Sequence, residues 1–310
     1  MSARKSRRAA ARHLAAKDCL DQGTAIVNGL SIDVEEYFHA VNLRRAFPDT
    51  AWPGLPRRAA LGVEKVLRLL ERHRQKATFF VLGWVAEHEP ELVRTIAAAG
   101  HEIASHGHSH KMVGELGVAA FRDDVRRSLE LLGPLSPAPI EGFRASTFSV
   151  TAETIWALAE LARLGLRYDS SIFPVRHDRY GMPGFARTPV VVPVEGGSIV
   201  ELPLLTWRLF GQNLPAAGGG YLRQFPLRYT QQALRSMNRA GHPGVLYVHP
   251  WELDDGQPRA APAVIGRLGH LRHYRNLDRT EARIERLAAE FRFAPLRELA
   301  RATTATRAVA

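Results

Sequence analysis

Glu102-Ile103-Ala104-Ser105-His106-Gly107-His108-Ser109-His110 reads as a short buried strand that ends abruptly in imidazoles. If the backbone turns helical after Ser105, His106 and His110 share a face and His108 points elsewhere. Two neutral imidazoles on one face form an incomplete metal site that needs a hard third ligand. Upstream, Ser31-Ile32-Asp33-Val34-Glu35-Glu36-Tyr37-Phe38 offers one, as an apolar strand that runs into carboxylates. Taken alone, a His-rich turn is more often solvated than functional. The rest of the chain decides between those readings.

Working outward, short apolar runs alternate with amphipathic periods from Ala25 onward, the pattern of an α/β fold. Strands are predicted at Val27–Val34, Ala77–Leu82, Glu102–Ser105, Pro139–Arg144, Leu166–Asp169 and Val245–His249. Helices are predicted at Ala59–Arg74, Pro90–Ala99, Phe121–Leu132, Thr151–Leu161 and Pro226–Ala240. Val190–Val192 and Ser198–Leu204 read as a hairpin around Glu195-Gly196-Gly197, with Pro193 and Pro203 placing both strands at edges. Successive β-then-α units with polar strand ends fit a distorted (β/α) barrel whose chemistry sits at the C-terminal strand ends. Three parts are expected: a basic extension over 1–24, a barrel over 25–255 and a helical C-terminal extension over 256–310 packed on it.

A chain of 310 residues that is 45% hydrophobic can bury a large core. No run of about 18 apolar residues is present, so a membrane-spanning helix is not expected. The Arg/Lys-rich start lacks an apolar core, so no signal peptide is visible. The expected location is therefore the cytoplasm or the periphery of the inner membrane. A single cysteine, Cys19, rules out an internal disulfide framework. The net charge of +11 leaves peripheral contact with anionic lipid open, but nothing resembles an aromatic-plus-basic nucleic-acid reader. Oligomeric state leaves no mark.

Five polar clusters end predicted strands: Asp33/Glu35, His106/His110, Arg144, Asp169 and His249. Polar core residues do occur, but five at corresponding strand ends describe a site. On these residues the chain resembles the NodB-homology polysaccharide deacetylases, carbohydrate esterase family four, over about residues 27–300. Within them it is similar to the bacterial subgroup that accompanies exosortase-type exopolysaccharide clusters, through Gly218-Gly219-Gly220-Tyr221, Leu246-Tyr247-Val248-His249-Pro250-Trp251-Glu252 and His273-Tyr274-Arg275-Asn276-Leu277. The family's aspartate pair reads Asp33-Val34-Glu35 here, its His-x-x-x-His is His106 and His110, and its Arg-x-Pro keeps only Arg144. Tyr168-Asp169-Ser170-Ser171 and the His249 strand stand for its remaining motifs.

The resemblance implies hydrolysis of N-acetyl groups from sugars of a polysaccharide, an exopolysaccharide or its precursor, on a divalent metal. Zinc suits two histidines and a carboxylate, and cobalt or nickel would suit them too. The expected roles are metal ligands His106, His110 and Glu35; base Asp33; acid His249; Arg144 orienting Asp33; and Asp169 fixing the His249 tautomer. Because Val34 fills the family's usual ligand position, Glu35 and Glu36 compete, and strand alternation favours Glu35, which shares the face of Asp33. The Tyr37 backbone amide is a candidate oxyanion donor. Arg176 and Tyr180, in the loop after Ser171, are candidate sugar contacts, and Trp251 a candidate wall of the acetyl pocket; structural roles fit all three equally well. A catalytically silent barrel that binds glycan or partner proteins in a polysaccharide export system is the rival reading, but such a relative usually lacks the base, the acid or a ligand.

Overall fold

The computed structural model describes residues 26–177 and 179–309; the basic stretch 1–24, Cys19 and Asp178 lie outside the described residues. Strand β1 (Val27–Val34) is buried from its second residue onward and is interior to the sheet, with neighbours on both sides. It pairs in parallel with β2 (Thr78–Val81), with β10 (Val245–Val248) and, at its start, with β11 (Arg292–Ala294). The other strands are β3 (Glu102–Ser105), β4 (Gly142–Phe143), β5 (Tyr168–Asp169) and an antiparallel pair, β6 (Val190–Val194) and β7 (Gly197–Glu201). Their order across the sheet is β10-β1-β2-β3-β4-β5-β7-β6. Parallel strands covered on both faces are rich in apolar residues, and Ile32, Phe79, Phe80 and Ala104 are all fully buried.

The sheet curls toward a barrel, with the segment 202–219 bridging its seam. Leu202 N donates to Asp169 O at 2.9 Å and Leu205 N to Val245 O at 3.0 Å. Tyr247 N donates to Ala217 O at 2.8 Å, and Gly219 N to Tyr247 O at 3.1 Å. A Cβ at Gly218, whose φ is +129°, would lie 1.9 Å from Tyr247 O, so this crossing requires glycine.

The outer helices are α1 (Ala59–Arg72), α2 (Gly83–His88), α3 (Pro90–Ala98), α4 (Val113–Leu132), α5 (Ala157–Arg163), α6 (Gly220–Gln224) and α7 (Leu227–Arg239). Helices α1, α3 and α7 match the expected helical periods. Helix α4 starts eight residues earlier than the expected Phe121, through a break at Gly117 with φ +70°, α5 starts at Ala157 rather than Thr151, and α2 and α6 were not expected. The tail adds α8 (Pro262–Ile265), α9 (Arg267–Tyr274), α10 (Thr280–Glu290) and α11 (Leu296–Val309). The strand expectations need correction too. Strand β7 is interior, between β5 and β6, because Pro203 falls beyond its end and costs it no ladder bond. The hairpin β8 (Thr206–Leu209) and β9 (Gln212–Pro215) was not anticipated.

Helix α1 packs on the turn that follows β10. A Cβ on Gly62 would lie 2.0 Å from Pro250 O. Alanine ordinarily stabilises a helix interior by about 1 kcal/mol over glycine. Here Gly62→Ala is expected to destabilise by about 1–3 kcal/mol through overpacking, read as a lowered thermal midpoint. A raised midpoint would refute the contact.

Candidate active site

Glu35, His106 and His110 converge: one ligand atom from each lies within 4.8 Å of the other two, and all three residues are buried. Strand alternation places Glu35 here and sends Glu36 away. The Glu36 carboxylate accepts from Arg58 N at 2.8 Å and Ala59 N at 3.0 Å, capping α1. The convergence of the histidines does not come from a helix. Residues 106–112 form a loop in which Gly107 and His110 have φ of +70° and +55°. Asp124, on α4, staples that loop by accepting from His108 N at 2.7 Å and Ser109 N at 3.0 Å. Arg44 donates to His110 O at 2.9 Å. A left-handed histidine stores strain, which persists only where its surroundings hold it. His108 turns to Glu87, at 3.2 Å.

The donor set fits a divalent cation. His106 Nδ1 bonds Arg144 O at 2.8 Å, which turns its other ring nitrogen inward. His110 Nε2 lies 2.5 Å from Glu35 Oε2. Glu35 Oε2 and His110 Nδ1 are buried without a hydrogen-bond partner among the described residues. Burial alone would raise the Glu35 pKa, but His110, His249 and His106 outweigh it and hold the carboxyl well below its usual range. Burial lowers His106 to about 4, so it offers a neutral ring as a ligand must.

Asp33 lies beside this group. Arg144, with no exposed surface, donates from Nη1 to Asp33 Oδ1 at 2.8 Å and to Ser31 Oγ at 2.6 Å. Its other donors reach Ser170 O at 2.9 Å and Ser170 Oγ at 2.8 Å, and its plane covers the Phe80 ring. Across from Asp33, His249 Nε2 is 4.0 Å from Asp33 Oδ2 and 3.5 Å from Glu35 Oε1. Burial would lower the His249 pKa, but Glu35, Glu252 and Asp33 raise it to about 9. A cation on Glu35 would take back part of that rise.

The partner expected behind His249 was Asp169, and the structure gives a different carboxylate. Asp169 accepts from Ser171 Oγ at 2.6 Å and Ser171 N at 3.0 Å, a local turn that engages both of its oxygens. His249 Nδ1 instead meets Glu252 Oε2 at 3.0 Å, within the 3₁₀ turn Pro250–Leu253. Arg223 Nε donates to Glu252 Oε1 at 2.7 Å, and both residues are buried. The signal was available: His249 and Glu252 stand at capping-box spacing. Burial would raise Glu252, but Arg223 and His249 bring it down to about 2. An acid with a depressed folded pKa adds stability that is full above its unfolded value and lost as pH falls toward the folded one. Glu252→Gln is therefore expected to melt below wild type at neutral pH, by a margin that shrinks between about pH 5 and pH 2. Its turnover is expected to fall by about 10–100-fold; wild-type turnover would contradict the pairing.

Asp169 keeps a different duty. Its neighbour in register is Glu201 on β7, fully buried, whose Oε1 accepts from Ile172 N at 3.0 Å. Burial and then Asp169 push Glu201 well above its usual range, and burial raises Asp169 too. Glu201 Oε2 has no hydrogen-bond partner among the described residues, and one proton held between it and Asp169 would satisfy the pair. Through Ser171 Oγ, which accepts from Ala145 N at 2.7 Å, the pair braces the backbone that holds Arg144 and, by Arg144 O, His106. A raised folded pKa favours the native state at low pH, an advantage that fades as pH climbs through the folded value. Glu201→Gln keeps the shape and removes that dependence. Its thermal midpoint is expected to equal or exceed wild type in mildly alkaline buffer and to fall behind in acid; parallel curves would contradict the shared proton.

The remaining candidates separate. Trp251 Nε1 donates to Glu35 Oε1 at 3.0 Å, while its ring stacks between His249, at 4.9 Å, and His273, at 4.6 Å. Tyr37 is buried, and its hydroxyl has no hydrogen-bond partner among the described residues. Arg176 is exposed; with Arg208 and Asn213 it lines a pocket of about 390 Å³. Tyr180 stacks on Phe173 and His177, and Phe148 links it to Tyr247, whose ring meets His249 at 5.4 Å. An aromatic band thus runs from His249 out to Tyr180.

Residues 56–168 match the polysaccharide deacetylase family model, and residues 170–301 match that of a domain of unknown function (DUF3473). The first match contains His106, His110 and Arg144; Asp33, Glu35 and His249 fall outside it. The chain is 29% identical over 139 residues to a chitooligosaccharide deacetylase of Bradyrhizobium sp., covering 44% of this chain and 62% of that protein. It is 38% identical over 72 residues to a peptidoglycan-N-acetylglucosamine deacetylase of Bacillus cereus, covering 23% and 26%. Each alignment spans less than two thirds of the relative's length. A Mycobacterium smegmatis structure provisionally assigned as a polysaccharide deacetylase superposes with a TM-score of 0.62 at 23% identity over 93% of both chains. A Pseudomonas aeruginosa structure with a similar provisional assignment gives 0.50 at 21% identity, over 77% of this chain and 71% of that one. These likenesses establish a shared α/β fold built on a parallel sheet.

Proposed function

We propose that this chain is a metal-dependent hydrolase that removes N-acetyl groups from sugar residues of a polysaccharide. The observation that carries this reading is the gathering of Glu35, His106 and His110, with Asp33 on one side and His249 on the other. The matches to deacetylases support it from a separate direction.

Glu35, His106 and His110 would hold a divalent cation, zinc first by donor type, which when bound supplies a Lewis acid for the amide carbonyl and makes water easier to deprotonate. Asp33, fixed by Arg144 and Ser31, takes the proton from the attacking water. Water adds to the carbonyl carbon, with the Tyr37 backbone amide a candidate donor to the developing oxyanion. His249, protonated on Nε2 and steadied by Glu252 at Nδ1, gives its proton to the departing nitrogen as the C–N bond breaks. The products are acetate and a free amino sugar. Trp251 holds one oxygen of Glu35 and leaves the other for the ion. Half-buried Tyr180 and the pocket at exposed Arg176 offer stacking and hydrogen-bonding surface for a glycan chain, with an exopolysaccharide as the intended substrate. The segment 256–310 is a structural part of the same unit, through β11 and the Arg223 and His273 contacts.

Metal analysis of the purified protein, alongside acetate release from N-acetylglucosamine oligomers, tests the reading. One equivalent of divalent metal and metal-dependent acetate release are expected. Release that persists after complete metal removal would overturn it.

A further inference from the structure

Residues 256–277 contain no Asp or Glu, yet they carry Arg259, Arg267, Arg272 and Arg275, all exposed. On helix α9, Leu268 and Leu271 are 71% and 54% exposed, two of the few large apolar side chains open to solvent among the described residues. Their i, i+3 spacing puts them on one face. The opposite side of the helix is anchored. Tyr274 Oη accepts from Ala260 N at 2.7 Å, His273 stacks on Trp251, and Arg223 Nη1 donates to His273 O at 2.6 Å and Arg275 O at 3.1 Å. Those anchors fix the rotation of α9, so the leucines are held outward. Ala261, Pro262 and Ala263 extend the exposed apolar strip toward Arg259.

We infer that this face docks the protein on an anionic lipid surface, with Leu268 and Leu271 entering the headgroup boundary and the surrounding arginines meeting lipid phosphates. An apolar ridge edged by cations on a convex helix suits an interface with headgroups on all sides. Within 256–277 every charged side chain is basic, with exposed Asp255 and Asp278 only at its two ends. This excess supplies the complementarity, each arginine near such a surface contributing about fivefold to partitioning. The inference is independent of the chemistry assigned to the buried site. Its consequence is positional: α9 is tied through Arg223 to Glu252 and His249, so docking would bring that end of the sheet to the membrane.

Co-sedimentation of the full chain with phosphatidylcholine vesicles, with and without about one third phosphatidylglycerol, provides the test. Binding to the anionic vesicles alone is expected. The variant Leu268→Ser/Leu271→Ser is expected to bind them about tenfold or more weakly with an unchanged thermal midpoint. Arg259→Gln/Arg267→Gln is expected to weaken binding and reduce its sensitivity to salt. Equal binding by the leucine variant would overturn the inference, as would no binding by the wild type. A wild-type dimer that the leucine variant converts to a monomer would also overturn it, assigning the face to a second protein chain.

Discussion

Asp33→Asn is expected to keep its metal and to release acetate about 10³-fold more slowly than wild type. Asparagine matches aspartate in shape, and its amide oxygen can still accept from Arg144 Nη1, now 2.8 Å from Asp33 Oδ1. What it lacks is a basic oxygen toward His249 and the ion. The substitution leaves a buried guanidinium without its counter-charge, a change that is often severe. Arg144 is cushioned here, because it also donates to Ser31 Oγ, Ser170 O and Ser170 Oγ and lies over Phe80. A modest drop in thermal midpoint should therefore accompany a large drop in turnover. Metal content by elemental analysis and acetate release on the same preparation separate the two effects. Undiminished turnover would remove Asp33 from the role of base.

His106→Ala is expected to fail in the opposite way. It removes one of three ligands, so metal affinity should fall by at least about 100-fold, beyond what loss of an outer partner costs. Turnover should fall with it and recover in part when metal is supplied in excess. His106 also donates from Nδ1 to Arg144 O. Alanine frees that carbonyl inside the core and should lower stability by about 1–3 kcal/mol. The contrast is the useful result: one variant keeps the ion and loses the chemistry, and the other loses both. If His106→Ala retained metal as wild type does, the ligand set would be wrong.

Much of this arrangement is legible in the residues because strand alternation and buried parallel sheets leave strong marks. Asp33 and Glu35 share a face because side chains alternate, and that rule also sent Glu36 to the α1 N-terminus. The short apolar stretches around Ile32, Phe79 and Ile103 announced interior strands. The spacing of His106 and His110 signalled a pair of ligands, yet the left-handed backbone at His110 did not show, since only the distant Asp124 and Arg44 impose it. Asp169 and Glu252 compete for the same role in a linear reading, because each is an acid near a strand end. The hydroxyl of Ser171 decides against Asp169, and a turn of three residues decides for Glu252. Hairpin β8–β9 escaped notice because its turn is Phe210-Gly211, with φ of +49° and +77°, where phenylalanine gives no turn signal.

The central claim is that one cation sits among Glu35, His106 and His110. Anomalous diffraction from crystals of the zinc-loaded protein, recorded at the zinc edge, tests it most directly. A single peak about 2.0–2.2 Å from Glu35 Oε2 and from a ring nitrogen of each histidine is expected. No peak there, or the strongest peak on other side chains, would contradict the account.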